Sequence, residues 1–344
     1  MDKILSIIVP TYNMENYLHK CLNSLIVSDE NMEKLEVLII NDGSKDKSSE
    51  IAHAYESKYP QTFRVIDKEN GNYGSCINRG LSEATGKYVK VLDADDYFDN
   101  HVLDDFVSFL GSRNEDMVIS DFRVVDEKGN DMSDFRFGKL GNENFSLVHI
   151  PTPMIEDLWH HAITYKKDVF TGLGYKQTEG ISYTDDEWIF EPVINVKTIV
   201  YFPNILYMYL RGREGQTFDP KVIQRTLNHK RIVAKKMINF YEKNYADCNK
   251  ENKDYLENKL LFRLGEMYRF HYKFFTHDNI QLVEFDNELK QLSPHIYDML
   301  GEFKNHYGWK YIKQWREWGY SRYTPAIMMI RIRHRFLNMT GKIW

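Results

Sequence analysis

ILSIIV, residues 4–9, is apolar on both faces and rich in β-branched side chains. That is the pattern of a strand buried in the middle of a parallel sheet. Working outward, apolar residues at Tyr17, Leu18, Cys21, Leu22 and Leu25 fall at helical spacing within residues 15–27. LEVLII at 35–40 repeats the strand, and 44–59 reads as a helix with Ser44 as its N-cap. A third strand is expected at 63–66, a helix at 75–84 and a fourth strand at 88–92. This alternation predicts an α/β fold, an open parallel sheet covered by helices.

Beyond Asp93 the pattern loosens. A helix is expected over 100–110 and a strand over 117–125, followed by an insertion rich in Gly, Asn and Asp at 126–160. From Pro220 to Pro294 helical spacing dominates, which places a boundary between an α/β domain, 1–219, and a helical domain, 220–344. From Gly319 to Trp344 there are five Arg or Lys residues and no acid, set among Ile327, Met328, Met329, Ile330, Ile332, Phe336 and Leu337. Such a basic amphipathic end either lies on an anionic membrane surface or packs on its own domain with a solvated basic face. A long helical tail could also form a homodimer.

Hydrophobic residues are 42% and charged residues 28% of 344, as in a folded globular chain. A net charge of −5 speaks against nucleic-acid binding by electrostatics. Cys21, Cys76 and Cys248 are odd in number and in no ligand spacing, so they read as reduced thiols of a cytoplasmic protein. The N-terminal apolar run is too short for a signal peptide, and no stretch approaches the ~20 apolar residues of a membrane span. A soluble protein is expected, or one peripheral to the inner face of a membrane.

Four turns follow the four strands, where open α/β sheets bind ligands: Pro10-Thr11-Tyr12-Asn13, Asn41-Asp42-Gly43-Ser44, Lys68-Glu69-Asn70-Gly71 and Asp93-Ala94-Asp95-Asp96. Three carboxylates within four residues repel one another unless a cation neutralises them. Carboxylate and phosphate oxygens suit Mg²⁺ or Mn²⁺, so Asp95 is a candidate to bridge a metal to a diphosphate, and the small Ala94 leaves room for a ligand. The competing reading is an acidic start to the helix at 100. Residues 70–75, NGNYGS, open a helix with backbone N–H groups that could face a diphosphate. They form neither a P-loop nor a dinucleotide fingerprint.

VPTYN at 9–13, IINDGSKDKS at 39–48, ENGNYGSCINRGLSEATGKYVKVLDADDYF at 69–98 and EGISYTDDEWIF at 179–190 resemble family 2 glycosyltransferases of the GT-A fold. The likeness is dense over 4–98, recurs at 179–217 and is absent in the tail. It implies a Rossmann-like, mostly parallel sheet flanked by helices, followed by a mainly helical region. It also implies a nucleoside pocket along Pro10, Thr11 and Asn13 with Tyr12 against the base, and Asp42 on the uracil imide. Asp93, beside Ala94, would hold the ribose or sugar, and Asp95 would hold Mn²⁺ or Mg²⁺. The family's general base comes from a Glu-Asp type pair. Here that pair is Thr184-Asp185, which makes Asp185 the candidate and Asp186 the alternative; the bland reading is an acidic helix start.

Relatives often carry Arg before the Asn of the third motif, where this chain has Ile77 before Asn78. The donor contact then falls to Lys68 or Arg79, beside Asn70 and Gly74. The segment 209–217 could close over the diphosphate, with Arg211 or Arg213 supplying charge. Processive synthases carry Gln-x-x-Arg-Trp; Gln314-Trp315-Arg316-Glu317-Trp318 breaks that spacing, which favours transfer of one sugar. Trp159 and Trp188 either line the acceptor cleft or belong to the core. His160-His161 reads as a surface pair, because adjacent side chains point apart. The implied donor is a UDP-sugar, and the acceptor a glycan, a lipid-linked oligosaccharide or other glycolipid, or a glycoprotein. The rivals are a sugar-1-phosphate nucleotidyltransferase, whose Gly-rich basic signature is missing after the first strand, and a non-catalytic carbohydrate-binding protein.

Overall fold

A computed structural model describes residues 2–141, 146, 150, 152–213, 215–216, 220–274, 279–304 and 308–339. The chain divides into two compact units, Met1–Gln216 and Thr217–Trp344.

Among the described residues the first unit is built on one nine-stranded sheet. Its strands are β1 (Leu5–Thr11), β2 (Leu35–Asn41), β3 (Phe63–Asp67), β4 (Tyr88–Val91), β5 (Tyr97–Phe98), β6 (Met117–Val125), β7 (Asp131–Phe135), β8 (Ile163–Lys166) and β9 (Ile199–Leu210). The helices are α1 (Leu18–Asn23), α2 (Asp29–Lys34), α3 (Ser48–Lys58), α4 (Asn72–Glu83), α5 (Asn100–Gly111), α6 (Thr152–Asp157) and α7 (Asp185–Trp188). The order along the sheet is β3-β2-β1-β4-β8-β6-β9-β5, with β7 on β6.

The strands expected first in sequence form the parallel part: β1 lies between β2 and β4, and β3 borders β2. Thr11 sits opposite Asn41, and Asn41 opposite Asp67. The turns after these strands therefore emerge at one edge. Antiparallel pairings then extend the sheet through β8 on β4 and on β6, and through β5 on β9, while β9 runs parallel to β6. In β9 Phe202 faces Ser120 and Ile205 faces Asp121, so Pro203 and Asn204 drop out of the ladder. A proline that cannot donate is accommodated at such a bulge.

Packing explains several boundaries. A Cβ at Gly80 would stand 2.4 Å from Cγ2 of Ile8, so α4 lies against β1 at a distance that only glycine allows. Ser44 is not a helix cap: α3 begins at Ser48, and Ser44 Oγ instead accepts from the N–H of Asn13, tying the first turn to the second. Asp99 caps α5 by accepting from the N–H groups of His101 and Val102. The cluster at 93–96 is thus not the helix start. The insertion at 126–160 contains β7 and α6. Lys90 is wholly buried within β4, where its Nζ donates to the carbonyls of His161 (2.8 Å) and Ile163 (3.2 Å), and burial pulls its pKa down to about 7.

The second unit is helical: α8 (Pro220–Asn244), α9 (Lys250–Phe274), α10 (Ile280–Leu292), α11 (Pro294–Glu302), α12 (Tyr311–Glu317) and α13 (Pro325–Met339). Its core gathers Leu256, Leu260, Leu264, Tyr268, Tyr272, Tyr311 and Trp315. Arg316 is committed to structure: its Nη2 lies 2.6 Å from Oδ1 of the buried Asp286, which also accepts from Tyr268 OH at 2.5 Å. Among the described residues no helix is long and apolar enough to cross a membrane, and Cys21, Cys76 and Cys248 are free thiols.

Candidate active site

The turns at the strand ends are laced together. Asn13, at φ +53°, accepts from the N–H of Lys45 through its Oδ1, while Tyr12 stands exposed beside it. Pro10 and Thr11 are the last residues of β1, and Thr11 is buried. Asp42 is buried, and its Oδ1 accepts from Lys68 Nζ (2.5 Å) and from the N–H of Gly71 (2.9 Å). Lys68 also donates to Ser75 Oγ, and Asn70 Nδ2 donates to the carbonyl of Asp42.

Gly74 does not face open space. A Cβ there would meet the carbonyl oxygen of Thr178 at 2.0 Å, so this glycine lets the loop at 177–180 lie directly on α4. Asn78 clamps the same loop, donating to the carbonyl of Gln177 and accepting from its N–H. Arg79 is turned to Glu83 at the far end of α4, with its Nη2 2.8 Å away, and in this structure does not join the strand-end turns.

The three carboxylates after β4 occupy three different environments. Asp96 is buried and accepts from Tyr207 OH and from the N–H of Leu210, both at 2.7 Å. Burial, followed by the charges of Asp95 and Asp93, pushes its carboxyl well above the usual range. Asp95 Oδ2 accepts from Arg213 Nε (3.0 Å) and Nη2 (2.9 Å) and from Gln216 Nε2 (3.2 Å). Burial raises its pKa more than the guanidinium lowers it. Asp93 is partly open, and its Oδ2 lies 3.3 Å from His160 Nε2, outside hydrogen-bond geometry. Ala94 between them is buried. Arg211 continues from β9 by donating its N–H to the carbonyl of Val125; Glu214 and Thr217 of the same segment lie outside the described residues.

His160 and His161 are not a surface pair. They are 6% and 4% exposed, with ring centroids 3.9 Å apart. A tight turn, closed by the N–H of Ala162 on the carbonyl of Trp159, removes the alternation that would have pointed them apart. His160 stands between two acids, with its Nδ1 3.9 Å from Asp185 Oδ2. Burial works against its charge, but Asp93 and then Asp185 outweigh it and hold the pKa above the ordinary value. His161 goes the other way: burial, then His160 and Lys90, push it well below. Tyr73, which the sequence reading passed over, borders the same acids; burial, then Asp93 and Asp185, raise its phenol well above the usual value.

Asp185 opens α7 with its carboxylate partly exposed, followed by Asp186. Glu187 is turned inward, where its Oε2 accepts from the N–H of Thr178 at 2.8 Å. Trp188 is 1% exposed and packs on Tyr165 and Phe170, so its assignment to an acceptor cleft is corrected: it belongs to the core. Trp159 is half-buried, against Phe122 and Phe135.

Asp93, His160 and His161 each offer a ligand atom, all within 4.8 Å of one another. Asp93 Oδ1, His160 Nε2 and both ring nitrogens of His161 are buried without a hydrogen-bond partner. Buried polar atoms left in this state suit a bound ion or ordered water, so the donor set fits a divalent cation. At Asp95 a guanidinium supplies the positive charge in this structure.

Residues 6–174 match the family Glycosyl transferase family 2. The uncharacterized glycosyltransferase MG025 of Mycoplasma genitalium is 38% identical over 219 residues, covering 62% of this chain and 70% of that protein. The poly(ribitol-phosphate) beta-N-acetylglucosaminyltransferase TarS of Staphylococcus aureus is 24% identical over 262 residues; the match spans 75% of this chain but only 44% of that protein. The crystal structure of S. aureus TarS 1-349 in complex with UDP-GlcNAc superposes with a TM-score of 0.63 at 21% identity, covering 86% of this chain and 83% of that one.

A mixed sheet with flanking helices and strand-end acids is the GT-A type of fold. The chain belongs to glycosyltransferase family 2 and is a glycosyltransferase. The nucleotidyltransferase and non-catalytic readings are thereby set aside.

Proposed function

We propose that the enzyme moves one sugar from a UDP-sugar to an acceptor hydroxyl, with inversion at the anomeric carbon and with a divalent cation bound. The observation that carries this reading is the gathering of Asp93, His160 and Asp185 in one place, with Asp95 two residues from Asp93. Tyr12, Asn13 and Asp42 would hold the nucleoside, with Lys68 and Asn70 keeping Asp42 oriented. The cation would be held by Asp95 once Arg213 swings to the diphosphate, or by Asp93 with the two histidines; imidazole ligands favour Mn²⁺ over Mg²⁺. When bound, it neutralises charge on the departing diphosphate.

Asp185 takes the proton from the acceptor hydroxyl as that oxygen bonds to the anomeric carbon and the carbon–diphosphate bond breaks on the opposite face. Asp93 orients the donor, and Arg213 offers positive charge to the leaving group. Asp186, one residue on, is the alternative base. The acceptor is a glycan, a glycolipid or a glycoprotein; the polymer in the name of TarS supports a hydroxyl-rich one.

The test is UDP release from a panel of UDP-sugars with Mn²⁺, with and without a hydroxyl-rich glycan acceptor, in wild type and Asp185→Asn. The variant should bind donor normally and lose transfer by about 10²–10⁴-fold. Near-normal transfer would reject Asp185 as the base.

A further inference from the structure

Helix α13 has two apolar faces where a packed surface helix has one. Its inner face is satisfied: Ile327 and Ile330 are buried within the helical unit. Its outer face carries Met328, Met329, Ile332 and Phe336, which are 39%, 49%, 55% and 63% exposed. At about 100° per residue these four fall within a single arc of about 100°, opposite the buried pair. Arg333 and Arg335, both exposed, fall on either side of that arc. The nearest preceding acid is Glu317, so no carboxylate occurs from Trp318 to Met339, in a chain whose net charge is −5. Trp318 and Tyr323, just ahead of the helix, are also exposed, and Trp318 shares with Met329 the wall of a cavity of about 530 Å³.

We infer that α13 is an interfacial helix that seats the protein on an anionic lipid surface. An apolar stripe flanked by arginines and free of acids matches a bilayer, whose acyl boundary takes the stripe while anionic headgroups take the guanidinium groups. A second copy of the chain fits less well. A two-fold contact through this stripe would bring arginines from both copies to the same rim, where like charges oppose docking. Among the described residues the stripe stays 39–63% exposed, while the opposite face of the helix packs within the helical unit. The helix is too polar to span, so the attachment is peripheral and reversible.

The experiment is co-sedimentation of the full chain with vesicles of phosphatidylcholine alone or with 30 mol% phosphatidylglycerol (about this fraction gives a strong surface potential), at low and high salt. Binding is expected only with phosphatidylglycerol, and should weaken as salt rises. Ile332→Glu with Phe336→Glu should cut it at least tenfold, as should Arg333→Glu with Arg335→Glu, a pair that leaves the apolar stripe intact. The melting temperature of each variant is read in parallel, so that lost binding is separated from lost folding. Failure of wild type to bind either vesicle would overturn the inference. So would a dimer in solution that the Ile332/Phe336 variant dissociates while wild type ignores lipid. Donor hydrolysis without vesicles reports the transferase separately, so the two readings fail independently.

Discussion

Alanine at position 74 would place a methyl carbon 2.0 Å from the carbonyl oxygen of Thr178, 2.9 Å from its carbonyl carbon and 3.4 Å from that of Gln177. All three obstacles are backbone, so no side chain can rotate away. Restoring ordinary contact requires α4 and the 177–180 loop to part by about 1 Å, a shift typical of overpacked cores. The loop resists: Gln177 is held from both sides by Asn78, Thr178 by Glu187, and Gly180 donates to the carbonyl of Gly71. Overpacking costs about 1–3 kcal/mol, and one or two weakened hydrogen bonds add about 1 kcal/mol each. A total of about 2–5 kcal/mol should lower the melting temperature by about 4–20 °C, at roughly 2–4 °C per kcal/mol for a unit this size. Because Glu187 also lies two residues from Asp185, the displacement should reach the proposed base. A misplacement of about 1 Å can cost up to 10²-fold in rate, so kcat should fall more than the donor KM rises. Calorimetry and steady-state kinetics on Gly74→Ala test this. A melting temperature within 1 °C of wild type (about the precision of a scan) with unchanged kcat would refute the packing argument.

Other consequences follow from buried charge. Lys90 has its folded pKa lowered to about 7, so between pH 7 and its unfolded value the unfolded chain binds more protons and stability rises with pH. From pH 7 to 9 wild type should gain about 2–3 kcal/mol relative to Lys90→Met, read by urea unfolding at each pH; equal slopes would sink the assignment. Arg316→Leu leaves Asp286 buried without its guanidinium and should destabilise the helical unit by about 3–5 kcal/mol, whereas loss below 1 kcal/mol would mean the pair is dispensable. If Arg213 and a divalent cation compete for Asp95, Arg213→Gln should tighten Mn²⁺ binding severalfold in electron paramagnetic resonance titrations, and weaker binding would contradict the competition.

The first half of the sheet was legible because its signals are local. The apolar runs of β1, β2 and β4 and the helical spacing of α4 and α5 need no knowledge of distant residues. The same holds for the placement of Asp42, Asp93 and Asp95 on turns, since parallel strands bring their ends to one edge. The antiparallel half is different: β8 is four residues long, and β9 contains Pro203, so each is recognised as a strand only once β6 supplies its partner.

What the amino-acid order determined alone was the family, the strand–helix alternation and which turns carry acids, for these reside in short runs and their spacing. Tertiary structure alone decided what each acid became: one neutralised by Arg213 from 118 residues away, one buried against Tyr207, one left facing His160. It also turned an expected surface pair of histidines inward and decided for Trp188 between acceptor cleft and core, in favour of the core. Charge state and exposure depend on which distant groups share a small dry volume, and that is a property of the folded chain rather than of any segment.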